Sequence, residues 1–170
     1  MSLRIIGGIL VILGATGVGI LKTHQYHSRV ALLRELERGM ELIRCQMNYT
    51  LYPIPKLLEM TGKEIRGKAG TYFIQLGKTI EAGVPRHRAS IAALELTGEL
   101  SLPNDGLMAL MEWSSELGQF DPNGENTMMK LSIQRMRQAG KQYCEEEKNM
   151  VKSYTLLGIT TGISLVILMI

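Results

Sequence analysis

From Tyr154 to Ile170 the chain reads YTLLGITTGISLVILMI, without one charged side chain. A helix rises about 1.5 Å per residue, so this run covers roughly 25 Å, near the lower limit for a hydrocarbon core of about 30 Å. Lys148 and Lys152 just ahead of it can snorkel to headgroups, and Tyr154 stands where an interfacial aromatic would. Gly158, Thr160, Thr161, Gly162 and Ser164 supply the small residues that membrane helix packing favours. A buried core helix is the competing reading, but such a helix usually keeps a polar face. The run therefore predicts a membrane anchor over residues 153–170, with a separate domain upstream of it.

A second apolar run, Ile5 to Leu21, lies between Arg4 and Lys22. A cleavable signal peptide competes for this segment, but the run is longer than a typical signal core and helical periodicity continues past Lys22. It is read as an uncleaved anchor over residues 1–21. Two anchors put residues 22–152 on one side of one membrane. Lys22, Arg29, Arg34, Arg38, Lys148 and Lys152 flank the anchors on that side, against Arg4 on the other. Positive charge marks the cytoplasmic face, so the middle is expected there, with both termini across the membrane. Overall, 45% of residues are hydrophobic and 21% charged, averages that conceal this partition.

The middle reads as all-α. Leu33, Leu36, Met40, Ile43 and Met47 alternate three and four apart, an apolar seam on a long helix over residues 22–51. Pro53 and Pro55 end it and open a second helix carrying Ile54, Leu57, Leu58 and Ile65. Gly67 and Gly70 are read as breakers, then Thr71 to Ala82 as a third helix with Phe73, Leu76 and Ile80 inward and Gly83 as its cap. A fourth helix is expected from Pro85 to Thr97, with Ile91, Ala92 and Leu94 inward. A fifth follows Ser101 and Pro103, with Leu107, Leu110, Met111 and Leu117 apolar and Gly118 closing it. Asp121 and Pro122 read as the N-cap and first residue of the last helix. Its seam runs through Met129, Ile133, Met136, Gly140, Tyr143, Glu147, Met150 and Tyr154. The two seam helices are expected side by side and antiparallel, with the four shorter ones capping their far end. With only Phe73, Phe120 and Trp113 besides tyrosines, the core is expected to be aliphatic.

Chemistry is sparse. No basic run is interleaved with aromatics, which excludes the usual nucleic-acid footprint, and no glycine-rich phosphate loop follows a strand. His24 and His27 share a helical side, but two histidines make a poor metal site. Neither a metal nor a cofactor is called. Cys45 and Cys144 lack CxxC spacing and are read as free thiols, although a disulfide between them stays open. Arg86 and Arg88 lie in a first helical turn, where positive charge opposes the helix dipole, so an anionic partner would suit them. Glu145, Glu146 and Glu147 form an acidic face that is a second candidate docking patch.

The assembled motifs resemble the stage III sporulation protein AB family of endospore-forming bacteria. They are Arg29 and Leu33, then Met47-Asn48-Tyr49-Thr50-Leu51-Tyr52-Pro53-Ile54-Pro55, then Phe73, Leu76, Gly83 and Asp105. Leu117-Gly118 with Asp121 and Lys152-x-Tyr154-x-x-Leu157-Gly158 complete the set, ahead of Ile167-Leu168. Glu125 stands where the family has a glutamine, and the tryptophan expected after the Gly83 turn is absent. The resemblance implies a helical bundle similar to the cytoplasmic domains of type II secretion and type IV pilus platform proteins. It implies a non-enzymatic scaffold in the mother-cell membrane facing the forespore. Its expected partners are a sporulation ATPase and other membrane proteins of the same channel-like complex. The rival functions are a membrane sensor relaying through the two seam helices and a membrane-anchored thiol enzyme using Cys45.

Overall fold

The computed structural model describes residues 28–49, 52–98, 100–119 and 122–169. Six helices and no strand occur among the described residues: α1 (28–49), α2 (Ile54–Ile65), α3 (Gly67–Glu81), α4 (Arg86–Thr97), α5 (Asn104–Glu116) and α6 (Pro122–Met169). The chain divides into two units, Arg29–Gln142 and a second made of Met1–Ser28 with Tyr143–Ile170. Within the second unit, the described residues are Ser28 and the C-terminal stretch of α6. No helix among the described residues is long and apolar enough to cross a membrane. The expected N-terminal anchor, His24, His27 and the Asp121 cap lie outside the described residues.

The α1 seam is buried as its periodicity demands. Leu36, Met40 and Ile43 are fully buried, Leu33 nearly so, and Met47 packs against the same core. On α6 the seam is buried at Met129, Ile133, Met136 and Ala139. It then departs from the expectation: Gly140 and Tyr143 are half-buried and Met150 is exposed, while the Glu147 and Tyr154 side chains fall outside the described residues. Arg137 Nε donates to Glu37 Oε1 at 2.7 Å, and Arg44 Nη1 to Asn126 Oδ1 at 3.1 Å. Rising numbers on α1 thus meet falling numbers on α6, which makes the pair antiparallel. Each bond is at or near the surface and is worth about 1 kcal/mol at most, so the seams carry the stability.

The four short helices do not cap this pair; they pack along it. Gly39 on α1 faces the Phe73 ring, and Gly106 on α5 lies against Leu33. Nor is the core purely aliphatic, because its largest fully buried side chains are Trp113, Tyr72 and Phe73. Phe73 meets both neighbours edge-on, with ring centroids 5.8 Å from Tyr72 and 5.8 Å from Trp113. The Ser114 hydroxyl donates to the Leu110 carbonyl, so Tyr72 OH is the donor to Ser114 Oγ at 2.7 Å. Ser90 lies 3.5 Å from the same oxygen. Burial raises the Tyr72 pKa and these hydrogen bonds oppose the rise, so the phenol stays protonated.

Turn chemistry sets the short elements. The Gly83 N–H bonds Ile80 O and the Val84 N–H bonds Thr79 O, with Gly83 at φ +81°, the paired pattern of a Schellman cap. Gly67 and Gly70 do not break the chain as expected; both belong to α3, and the break is at Arg66. A β-carbon on Gly70 would collide with the Gly62 carbonyl, so these two glycines let α2 and α3 cross at backbone contact. Arg66 itself holds φ +61° and ψ −166°, a region costly to any residue with a β-carbon. Arg66→Gly is therefore expected to raise stability by about 1 kcal/mol, read as a higher midpoint in urea denaturation. An unchanged or lower midpoint would reject backbone strain at this turn. α4 departs from the reading in part: Leu94 packs against the core as expected, but the fully buried residues are Ala89, Ser90 and Ala93, and Ile91 is exposed.

Candidate functional site

At one end of the Arg29–Gln142 unit, the last turns of α1 bring Arg44, Met47 and Asn48 opposite Glu125, Asn126 and Met129 of α6. Together with Gly118 they line a cleft of about 180 Å³. Arg44 is fixed by its bonds to Glu41 and Asn126. The hydrogen bond from Arg44 holds the Glu41 carboxyl below its ordinary pKa, and burial opposes this in part. That ion pair is complete above the ordinary carboxylate range and weakens as pH falls through the lowered value.

Glu125 is only 4% exposed. Its carboxylate accepts the Gly118 N–H at 2.7 Å and lies in the first turn of α6, where the helix dipole favours negative charge. It thereby ties the α5–α6 connection to α6. Gly118 has φ +73°, and a β-carbon there would press on Ile54 Cδ1 and come within 3.1 Å of Arg86 Nη2. The Gly118 turn therefore gathers the starts of α2 and α4 around the cleft.

Of the docking candidates, Arg86 and Arg88 lie in the first turn of α4, which has no side-chain N-cap. Arg88 is exposed, as is His87 between them, while Arg86 is half-buried and folds back towards Gly118. The Arg86 Nε is buried and has no hydrogen-bond partner among the described residues. The two arginines are thus unlike: one is part of the packing and the other is free for a partner. Glu145 and Glu146 are exposed on α6 in the other unit, and the Glu147 side chain is outside the described residues. Cys45 is exposed, Cys144 is half-buried, and both are free thiols. No group of three metal-ligating side chains occurs among the described residues.

Tyr49 and Tyr52, quoted above only as part of the resemblance motif and not as docking candidates, are 85% and 54% exposed. Tyr49 follows Met47 and Asn48 of the cleft, and Tyr52 precedes the Pro53–Ile54 start of α2. Their cue was the Tyr-x-x-Tyr-Pro-x-Pro spacing, which reads as a helix end and gives no hint that both rings face water. A second, shallower groove of about 310 Å³ lies between α5 and α6. The Arg135–Glu112 ion pair crosses it and Met108 stands exposed beside it.

The profile of the stage III sporulation protein AB family matches residues 4–170. A solved structure described as stage III sporulation protein AB (SpoIIIAB) has a similar fold, with a TM-score of 0.64 at 16% identity. The similarity covers 72% of this chain and 98% of that one. No curated protein matches the sequence.

Proposed function

The chain belongs to the stage III sporulation protein AB family, and on that premise we propose that it is a non-enzymatic platform of the complex between mother cell and forespore. In this reading, residues 1–21 and 153–170 anchor it in the mother-cell membrane. Residues 22–152 face the mother-cell cytoplasm and couple a secretion-type ATPase to the membrane partners. The ATPase and the membrane partners come from the family resemblance. One observation carries the platform reading: the 48-residue helix α6 holds both the buried Met129–Ala139 seam and the apolar run from Tyr154. A single element that begins in a packed bundle and ends in an uncharged run suits a tether rather than a catalyst. The buried hydroxyls of Tyr72, Ser90 and Ser114 bond within the core, which also suits a packing role.

Topology is the test. In a chain with Cys45→Ser and Cys144→Ser, a cysteine at exposed Lys78 is expected to resist an impermeant maleimide in intact cells. A cysteine appended after Ile170 is expected to react. The reverse labelling would overturn the orientation, and labelling of both would overturn the anchors. The same Cys45→Ser background should sporulate normally; a sporulation block would favour thiol chemistry over a platform.

A further inference from the structure

We propose that the end of the bundle formed by the last turn of α1, the start of α2, the Gly118 turn and the first turn of α4 is a docking face for a partner segment carrying carboxylates around one apolar side chain. The inference rests on the platform reading and names the face with which the platform holds its partner. Gly118 lines the cleft and also adjoins Ile54 and Arg86, so the cleft, the start of α2 and the first turn of α4 meet there, with Tyr49 next to Asn48 of the cleft and Tyr52 two residues before Ile54 in the chain.

Its charge is complementary to an acidic segment. No described carboxylate forms an ion pair with Arg86 or Arg88, and the backbone at the start of α4 adds partial positive charge beside them. Several other charges near this end are engaged within the fold. Arg44 is paired with Glu41, Lys56 with Glu59, and Glu125 is turned inward onto Gly118. Exposed Glu81 at the end of α3 is the acidic residue nearest to this turn along the chain. A fold selected only for its own stability would place acid, not two arginines, in that first turn.

Its shape suits one inserted side chain. The cleft of about 180 Å³ has Met47 and Met129 among its lining residues, and methionine adapts to the shape of an apolar guest. Tyr49 and Tyr52 stand exposed at the corner beside it, and tyrosine and arginine are the residue types that concentrate binding energy at interfaces.

The test replaces Tyr49 in the full-length chain with a benzoylphenylalanine photoprobe, irradiates sporulating cells and sequences the crosslinked peptide. The expected adduct lies on a second protein, in a segment with carboxylates flanking an apolar residue. Arg88→Glu should lower its yield about tenfold, the scale for reversing a charge at an interface. Changing the captured carboxylate to lysine should restore the yield in that background. Arg88 is exposed, so the variant should keep its fold, with circular dichroism as the check. An adduct on a second copy, on lipid or on a segment without carboxylates overturns the proposal, as does a yield indifferent to Arg88→Glu. A probe at Leu96, 61% exposed at the other end of α4, separates the two readings. Adducts from Leu96 but not from Tyr49 overturn the docking face and leave the platform standing; adducts from neither position overturn both.

Discussion

Met40→Asp and Met136→Asp are each expected to abolish the cooperative melting of the bundle. Met40 is 0% exposed and Met136 1%, on the facing seams of α1 and α6. A carboxylate at either place loses its water and gains no partner, at a cost of several kcal/mol, comparable with the whole stability of a domain, about 5–15 kcal/mol. The pH dependence identifies the mechanism. Burial raises the new carboxyl's folded-state pKa above its ordinary value of about 3.9, so the folded form binds the proton more tightly than the unfolded form. The deficit is then complete at neutral pH and shrinks as pH falls towards the ordinary value. Glu37→Gln is the control, because it removes only the Arg137 ion pair at the surface and should cost about 1 kcal/mol or less. Thermal melts by circular dichroism on the detergent-solubilised chain decide the matter. Equal midpoints for all three variants would reject the seams.

Those seams were legible because large aliphatic side chains recur at helical spacing, and only burial explains such a pattern over Leu33 to Met47. The same logic failed in part on α4. Leu94 packs against the core, but the fully buried residues are Ala89, Ser90 and Ala93, which are too small to leave a hydrophobic signature, so the eye goes to Ile91, which is exposed. Of the aromatic centre, Phe73 was placed inward by its stripe with Leu76 and Ile80, but Trp113 and Tyr72 were missed for a related reason. The sequence holds one tryptophan and two phenylalanines, and their scarcity says nothing about where they sit. Trp113 and Phe73 are both at the middle of the core. The α6 seam was read too far, since Gly140 and Tyr143 are only half-buried and Met150 is exposed. Site residues divide similarly. Arg86 and Arg88 stood out because charge against a helix dipole is a local, readable cost. The meeting of Arg86 with Gly118, and the different burial of the two arginines, arises from contacts between residues far apart in the chain that no local pattern records.

Gly70→Ala is expected to destabilise the bundle by about 1–3 kcal/mol, although helix propensity alone favours alanine by about 1 kcal/mol. The two effects have opposite signs, and the surroundings decide between them. A β-carbon on Gly70 would overlap the backbone carbonyl of Gly62 and lie 3.4 Å from its carbonyl carbon. Backbone cannot swing aside as a flexible side chain can, so α2 and α3 must separate, and Leu58 and Phe73 lose packing with them. Gly140 supplies the internal comparison. It is half-buried in α6, and a β-carbon there meets nothing within 4 Å among the described residues. Gly140→Ala should therefore gain most of the propensity term, up to about 1 kcal/mol. One substitution, glycine to alanine within a helix, is thus expected to lower the urea midpoint at position 70 and raise it at position 140. If both midpoints rise, propensity governs and the α2–α3 crossing is looser than backbone contact. If both fall, the space beside Gly140 is filled.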